Sequence, residues 1–147
     1  MSLKEQLNND FKQAMKNRDQ LRKNVITLIR SEIKQIEVDK RIELDDQGIV
    51  EILSRQLKQR RDSIEEFKKG NRQDLADQAE EEAKILLEYL PEQLSEEEIT
   101  SIVKETIDEI GAQSMKDMGK VMANIMPKLK GKADGKLVNE IVKKQLQ

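Results

Sequence analysis

Apolar residues recur at intervals of three or four along nearly the whole chain, which is the period of an amphipathic helix. No segment keeps the strict alternation of apolar and polar residues that marks a half-buried strand. Helix starts are indicated by residues whose side chains can cap a first turn, namely Ser2, Asp19, Asp45, Ser95, Ser114 and Asp134. The pattern therefore predicts an all-α protein.

Glycine and proline mark the predicted helix ends. Gly70 is expected to end the third helix in a left-handed conformation, and Gly111 is expected to end the fifth. Pro91 is expected to end the fourth helix, because proline disfavours helical geometry in the residue before it. Pro127 is expected to end or kink the sixth helix, since it removes a backbone donor.

These boundaries divide the 147 residues into two predicted domains. Residues 1–90 are expected to form a bundle-like domain of four antiparallel helices, because short connections favour antiparallel neighbours. Residues 95–147 are expected to form a small C-terminal domain of three helices, with a linker near 91–94. A domain as small as the second one lies near the lower limit for independent stability.

The sequence contains no histidine and no cysteine, and its only aromatic residues are Phe11, Phe67 and Tyr89. The two absences remove the commonest general base, the thiolate nucleophile and the commonest ligands of zinc. We therefore predict no catalytic residue, no metal site and no cofactor. The scarcity of aromatic rings also leaves few platforms on which single-stranded nucleic acid could stack.

Long apolar runs are also missing from the sequence. Residues 1–20 contain no stretch long enough for a signal peptide, and no window elsewhere is long enough for a membrane span. The expectation from these observations is a soluble, cytoplasmic protein that does not contact a membrane. The chain is also expected to be a monomer.

Three other patterns have simpler interpretations. The dense carboxylates at 80–82 and 96–98 lie on no apolar face that would raise their pKa values, so they are interpreted as solvated surface. The Gly119-Lys120 and Gly131-Lys132 pairs lack the earlier glycine and the following Ser or Thr of a phosphate-binding loop. Four methionines within 115–126 are interpreted as core residues rather than as an exposed binding groove.

Charge is segregated along the chain, although the net charge is only −2. Residues 1–73 carry a net charge of +4, residues 74–111 of −11 and residues 112–147 of +5. Six lysines of the last segment are the predicted RNA-binding residues: Lys116, Lys120, Lys128, Lys130, Lys132 and Lys136. Lysine acts as a point charge toward phosphate, so this set suits recognition of a nucleic-acid backbone. The alternative interpretation is a solvated basic rim.

Three segments resemble the YqeY family: Ser54–Ser63, Tyr89–Ser95 and, most specifically, the run Met118–Asn139. That family is similar to the tail domain of GatB, one of the proteins that make up the tRNA-dependent amidotransferases. The resemblance extends over the whole chain and implies an N-terminal helical bundle followed by a smaller helical domain. It also implies a role linked to tRNA, because the amidotransferase tail engages the body of a tRNA.

The same resemblance implies binding rather than catalysis. In the amidotransferases, ammonia derived from glutamine converts a misacylated tRNA to its amide form, but the catalytic machinery lies in other domains and in another subunit. The name "carbon–nitrogen ligase with glutamine as amido donor" would therefore be taken over from the multidomain relative and would not show that this chain has the activity. The implied partners are tRNA and an amidotransferase or another translation protein.

Three hypotheses about function remain open at the level of the sequence. The first is a module that binds tRNA or associates with an amidotransferase. The second is an enzyme in its own right, against which the missing histidine, cysteine, nucleotide loop and metal ligands argue. The third is a protein-interaction adaptor that binds no RNA and whose lysines only solubilise it.

Overall fold

A computed structural model describes all 147 residues and contains seven α-helices, one 3-10 turn and no strand. The helices are α1 (Leu3–Lys16), α2 (Gln20–Lys40), α3 (Asp46–Lys69), α4 (Gln73–Tyr89), α5 (Glu96–Ile110), α6 (Met118–Leu129) and α7 (Gly135–Leu146), and the 3-10 turn Met115–Asp117 leads into α6. The all-α prediction is confirmed. The chain separates into two compact units, Met1–Leu90 and Pro91–Gln147. No helix combines the length and the apolar character that crossing a membrane requires.

Capping side chains supply hydrogen bonds that the first helical turns would otherwise lack. Ser2, Asp19 and Asp45 each accept a hydrogen bond from the backbone N–H three residues further on. Ser95 does the same for α5, and Asp134 accepts from the N–H two residues further on in α7. These predicted helix starts are confirmed, since capping depends only on residues within one turn.

Gly70 ends α3 as predicted but not in the predicted conformation, and Pro127 does not end α6. Gly70 follows α3 with a φ of −87°, and the left-handed residue is the next one, Asn71, with a φ of 57°. Asparagine is one of the few residues other than glycine that visit this region readily. Pro127 lies inside α6, which continues to Leu129. Leu129 is 2% exposed, so packing of the last turn outweighs the hydrogen bond that proline removes.

The first unit buries apolar side chains from all four of its helices in one core. Contacts between α1 and α2 show that these helices run in opposite directions. Lys4, near the start of α1, pairs with Glu37, near the end of α2, at 2.5 Å. Further along α1, the ring of Phe11 lies 4.3 Å from the guanidinium carbon of Arg30, which is earlier in α2.

Tyr89, the only tyrosine, ends α4 and is 4% exposed. Its hydroxyl donates a hydrogen bond of 2.5 Å to Asp10 of α1. Burial, and then the hydrogen bond to Asp10, raise the pKa of Tyr89 above the usual value for tyrosine. Beside it, Arg22 donates to Glu88, and this contact raises the pKa of the guanidinium.

We expect Tyr89 to stay protonated at a pH at which tyrosine in an unfolded chain ionises. Because the folded pKa is the higher one, the stabilising contribution is fully present below about pH 10 and is lost as the pH rises further. The chain has one tyrosine and no tryptophan, so tyrosinate absorbance reports this group alone. The titration midpoint should lie clearly above 10 in the native protein and return to about 10 in urea.

A native midpoint near 10 would contradict a buried, hydrogen-bonded hydroxyl. Asp10→Asn provides a second check, since removing the carboxylate should lower the midpoint while leaving Tyr89 buried. Tyr89→Phe should destabilise the first unit by about 1 kcal/mol in urea unfolding, because it leaves Asp10 without its donor.

The core of the second unit consists of aliphatic side chains only. It contains Ile99 and Val103 from α5, Val121, Ile125 and Leu129 from α6, and Val138, Ile141, Val142 and Leu146 from α7. Each helix therefore contributes one apolar stripe to a shared interior. The single buried polar side chain of this unit is Thr106, whose hydroxyl donates to the carbonyl of Ile102 at 2.9 Å.

Candidate nucleic-acid interface

All six lysines predicted to bind RNA are exposed and belong to the second unit. Lys116 lies in the 3-10 turn, Lys120 and Lys128 on α6, Lys130 and Lys132 between α6 and α7, and Lys136 in the first turn of α7. Lys120 and Lys128 are eight positions apart, which corresponds to about 12 Å along the helix axis. Lys120 and Lys128 are therefore too far apart to share one anion pocket.

The outward face of α6 combines positive charge with small side chains. The buried face of the helix consists of Val121, Ile125 and Leu129, and the opposite side exposes Gly119, Lys120, Ala123, Asn124 and Pro127. A methyl group added at Gly119 would meet no atom within 4 Å. Gly119 is therefore not required for packing inside this chain, and it leaves room for the close approach of a ligand.

The prediction that the four methionines belong to the core holds for two of them and fails for the other two. Met115 and Met126 are 39% and 37% exposed. Met118 and Met122 are partly buried and pack against the apolar core of the second unit. The spacing of four methionines indicated one helix face, but it did not show that this face extends past the edge of the core.

The loop that carries Lys130 and Lys132 has a well-defined main chain. Gly131 is buried and has a φ of 77°, a left-handed conformation that favours glycine. The N–H of Lys132 donates to the carbonyl of Leu129 at 2.9 Å, and its carbonyl accepts from the N–H of Leu94 at 2.8 Å. The loop is thus held by α6 on one side and by the segment after Pro91 on the other.

Gln93 makes the second attachment between this segment and the loop. Its side-chain nitrogen donates to the carbonyl of Gly131 at 2.8 Å and to that of Pro91 at 2.9 Å. The contact joins residues 38 positions apart, so helical periodicity could not reveal it. We call the pairing of residues 91–94 with residues 130–132 the loop clamp. Its effect is to present two lysines from a restrained backbone.

Carboxylates offset some of this positive charge. Lys128 lies 3.7 Å from Glu109, but both side chains are more than half exposed, so the pair contributes little to stability. Asp134, the cap of α7, accepts from the N–H of Lys136 within the basic surface. The side-chain nitrogens of Lys116, Lys120 and Lys132 have no carboxylate within 4.0 Å.

Acidic residues form no metal centre in this structure. No group of three or more carboxylates is arranged to hold a metal ion. Glu96, Glu97 and Glu98 occupy the exposed first turn of α5, where the helix dipole favours negative charge. Their position at the start of a helix thus accounts for their density.

Substitution by alanine should have opposite effects on stability at two glycines of the candidate interface. Gly131→Ala forces a methyl-bearing residue into a left-handed conformation, so we expect a loss of about 1–2 kcal/mol in the unfolding free energy of the second unit. Gly119→Ala adds a better helix former where nothing obstructs the methyl group, so we expect a gain of about 0.5–1 kcal/mol. Urea unfolding followed by far-UV circular dichroism measures both, and equal effects would contradict the described loop geometry.

Comparison with known proteins finds relatives of two kinds. The chain is 39% identical over 107 residues to "Altered inheritance of mitochondria protein 41, mitochondrial" of Lachancea thermotolerans, covering 71% of this chain and 57% of that protein. The protein of the same name from Vanderwaltozyma polyspora is 36% identical over 119 residues, which are 76% of this chain and 64% of that protein. A protein of Thermococcus sibiricus that is named as a glutamyl-tRNA(Gln) amidotransferase subunit is 48% identical over 61 residues, which are 42% of this chain and 10% of that protein.

These relatives correct the expected location. The cytoplasmic location expected from the sequence is contradicted, because the relatives from Lachancea and Vanderwaltozyma are named as mitochondrial proteins. The expectation depended on finding no signal peptide or membrane span, and neither feature reports on other compartments. The chain spans roughly half to two thirds of the length of these two relatives.

The family resemblance predicted from the sequence is confirmed over almost the full length of the chain. The family model described as "Yqey-like protein" matches residues 4–146. The match includes both compact units, the loop clamp and all six lysines. This chain therefore belongs to the YqeY family.

Proposed function

We propose that this chain is a small RNA-binding module that holds the body of a tRNA and works beside an amidotransferase or another translation protein. The observation that supports this most directly is the surface of six exposed lysines, two of which project from the clamped loop. The similarity to a relative named as a glutamyl-tRNA(Gln) amidotransferase subunit supports the choice of tRNA as the nucleic acid.

The proposal includes a division of the chain into two domains. Residues 1–90 form a bundle-like domain of four antiparallel helices, and residues 95–147 form a three-helix domain, with a linker near 91–94. The separate apolar cores of the two compact units support this division. The second domain carries the proposed RNA contacts.

Recognition in this proposal depends on the phosphate backbone. Lysines act as point charges and carry little information about base sequence, so the module recognises the shape and charge of a folded RNA. The small outward residues of α6, Gly119 and Ala123, allow the sugar-phosphate chain to come close to the helix. We assign amide formation to a partner protein, because this chain matches only 10% of the length of the relative named as an amidotransferase subunit.

Salt dependence of tRNA binding tests this proposal. If about five lysines contact phosphates, the logarithm of the binding constant should fall against the logarithm of the salt concentration with a slope near −4. Fluorescence anisotropy of end-labelled tRNA, titrated with the full chain at several salt concentrations, measures the slope. Absent binding, or binding that does not respond to salt, would reject the proposal.

A second candidate function is a protein-interaction adaptor without RNA binding. The observation that favours it is the exposure of large apolar side chains near the end of α2, where Val38 is 66% exposed and Ile42 is 49% exposed. Affinity purification with the full chain separates the two candidates. Recovery of protein partners that survive nuclease treatment, without RNA, would favour the adaptor.

A further inference from the structure

The first unit contains an open groove of about 480 Å³ between α1 and α2. Leu7, Phe11 and Ile33 contribute its apolar lining, and Lys4, Arg30 and Lys34 bring three positive charges to it. This groove lies outside the segment that carries the six lysines of the second unit. It is therefore a separate surface with its own charge.

Only one carboxylate, Glu37, lines the groove, and it is already engaged. It accepts a hydrogen bond from Lys4 at 2.5 Å and another from the backbone N–H of Leu44 at 2.8 Å. The hydrogen bond from Lys4, and then that from Leu44, lower the pKa of Glu37, so it stays ionised and keeps these partners. The remaining positive charges of the groove are not neutralised by it.

Arg30 and Lys34 are the two cations available to a ligand. Neither has a carboxylate within 4.0 Å of its side-chain nitrogens, and both side chains are exposed. The guanidinium of Arg30 lies 4.3 Å from the centre of the Phe11 ring, which holds it in place while leaving its N–H donors unpaired. Because the ring of Phe11 positions Arg30 and no carboxylate neutralises it, the guanidinium can bind an anionic ligand.

The spacing of these cations suits a linear polyanion. Arg30 and Lys34 are four residues apart on α2, so their Cβ atoms are neighbours at about 5–6 Å. Lys23, on the same helix and without a carboxylate within 4.0 Å, extends the row toward the start of α2. From Lys23 to Lys34 the helix rises by roughly 16 Å. A small free anion would use only one end of such a row, whereas a chain of phosphates would use all of it.

We propose that the α1–α2 groove is a second RNA-binding surface, at which Arg30 and Lys34 bind successive phosphates of an RNA strand. The inference rests on the proposed function for its choice of RNA, but it concerns a different unit of the chain and different residues. An acidic protein segment is the competing occupant, and its binding would be a failure of this inference.

A nuclear magnetic resonance titration of the full, ¹⁵N-labelled chain tests the two surfaces separately. The probes are a single-stranded RNA of about eight nucleotides and a polyglutamate of similar length. Binding at the groove should shift amides in residues 4–11 and 27–37 with the RNA and much less with polyglutamate. Shifts that equal or exceed these with polyglutamate, or no groove shifts with RNA, would overturn the inference. A separate titration with tRNA, followed in residues 116–136, reports on the proposed function independently.

Substitutions measure the contribution of the groove. The double variant Arg30→Gln, Lys34→Gln should bind the single-stranded RNA about tenfold more weakly. The slope of the logarithm of its binding constant against the logarithm of the salt concentration should become shallower by about 1.5. Lys34→Gln alone, which disturbs no ring contact, should give about half of the slope change. The matched control is Lys58→Gln with Lys69→Gln, two exposed positions of α3 that do not line the groove. Equal losses in the double variant and the control would show a general charge effect and reject the inference.

Discussion

Ile125→Ala is expected to remove most of the stability of the second unit. Ile125 lies at the centre of the buried face of α6, is 0% exposed and belongs to the aliphatic core shared with α5 and α7. Truncation of such a side chain costs about 2–5 kcal/mol, because the surroundings close the resulting cavity only partly. A unit of this size has a total stability of about 3–8 kcal/mol.

Amide hydrogen exchange on the full chain measures this effect unit by unit. Protection in α5, α6 and α7 should fall by two or more orders of magnitude, about what 3 kcal/mol implies, while protection in α1–α4 should change little. Met126→Ala is the matched control, since Met126 is the next residue and is 37% exposed; it should cost less than about 1 kcal/mol. If both variants lost the same protection, the described burial of α6 would be incorrect.

Charge reversal at three lysines should produce the largest effect on binding. Lys116→Glu, Lys120→Glu and Lys132→Glu together replace three exposed cations that have no carboxylate within 4.0 Å. Each change removes one proposed phosphate contact and adds a repulsion. We expect the affinity for tRNA to fall at least about 100-fold at moderate salt.

The control for this variant makes the same charge change elsewhere in the same unit. Lys104→Glu, Lys143→Glu and Lys144→Glu also alter exposed positions, on α5 and α7. Binding should weaken much less in this control, because only long-range and largely screened charge effects remain. If both triple variants bound tRNA equally weakly, net charge rather than the α6 surface would determine affinity. Unchanged circular dichroism spectra would show that both variants fold.

Sequence alone was sufficient for the features of the fold that depend on one helical turn. The caps at Ser2, Asp19 and Asp45 and the end of α5 at Gly111 were correct, since each depends on residues at most a few positions apart. The end of α3 at Gly70 was correct, but the left-handed residue is Asn71, because both glycine and asparagine tolerate the left-handed region.

Features that depend on distant residues could not be predicted. The continuation of α6 past Pro127 follows from the burial of Leu129 in a core that three helices share. The contact of Tyr89 with Asp10 spans 79 positions, and that of Gln93 with Gly131 spans 38. Periodicity indicates which face of a helix is apolar, but it does not indicate which helix that face meets.

The sequence named the six lysines of the candidate site but not the backbone contacts that support them. Positive charge near the end of the chain is a local property, so the six lysines could be named from their positions in the sequence. The clamp that restrains their loop and the exposure of Gly119 depend on tertiary packing. The groove beside Phe11 was missed because it depends on which residues of α1 and α2 meet, such as Phe11 and Arg30, and periodicity does not give this register.

The aliphatic interior of the second unit has a practical consequence for spectroscopy. All three aromatic residues of the chain precede position 91, so this unit has no intrinsic fluorophore. Tyrosine emission would therefore report the unfolding of the first unit and would not detect the unfolding of the second. Methyl groups of isoleucine, leucine and valine, by contrast, are spread through the core of the second unit, so nuclear magnetic resonance of selectively labelled samples would report its unfolding.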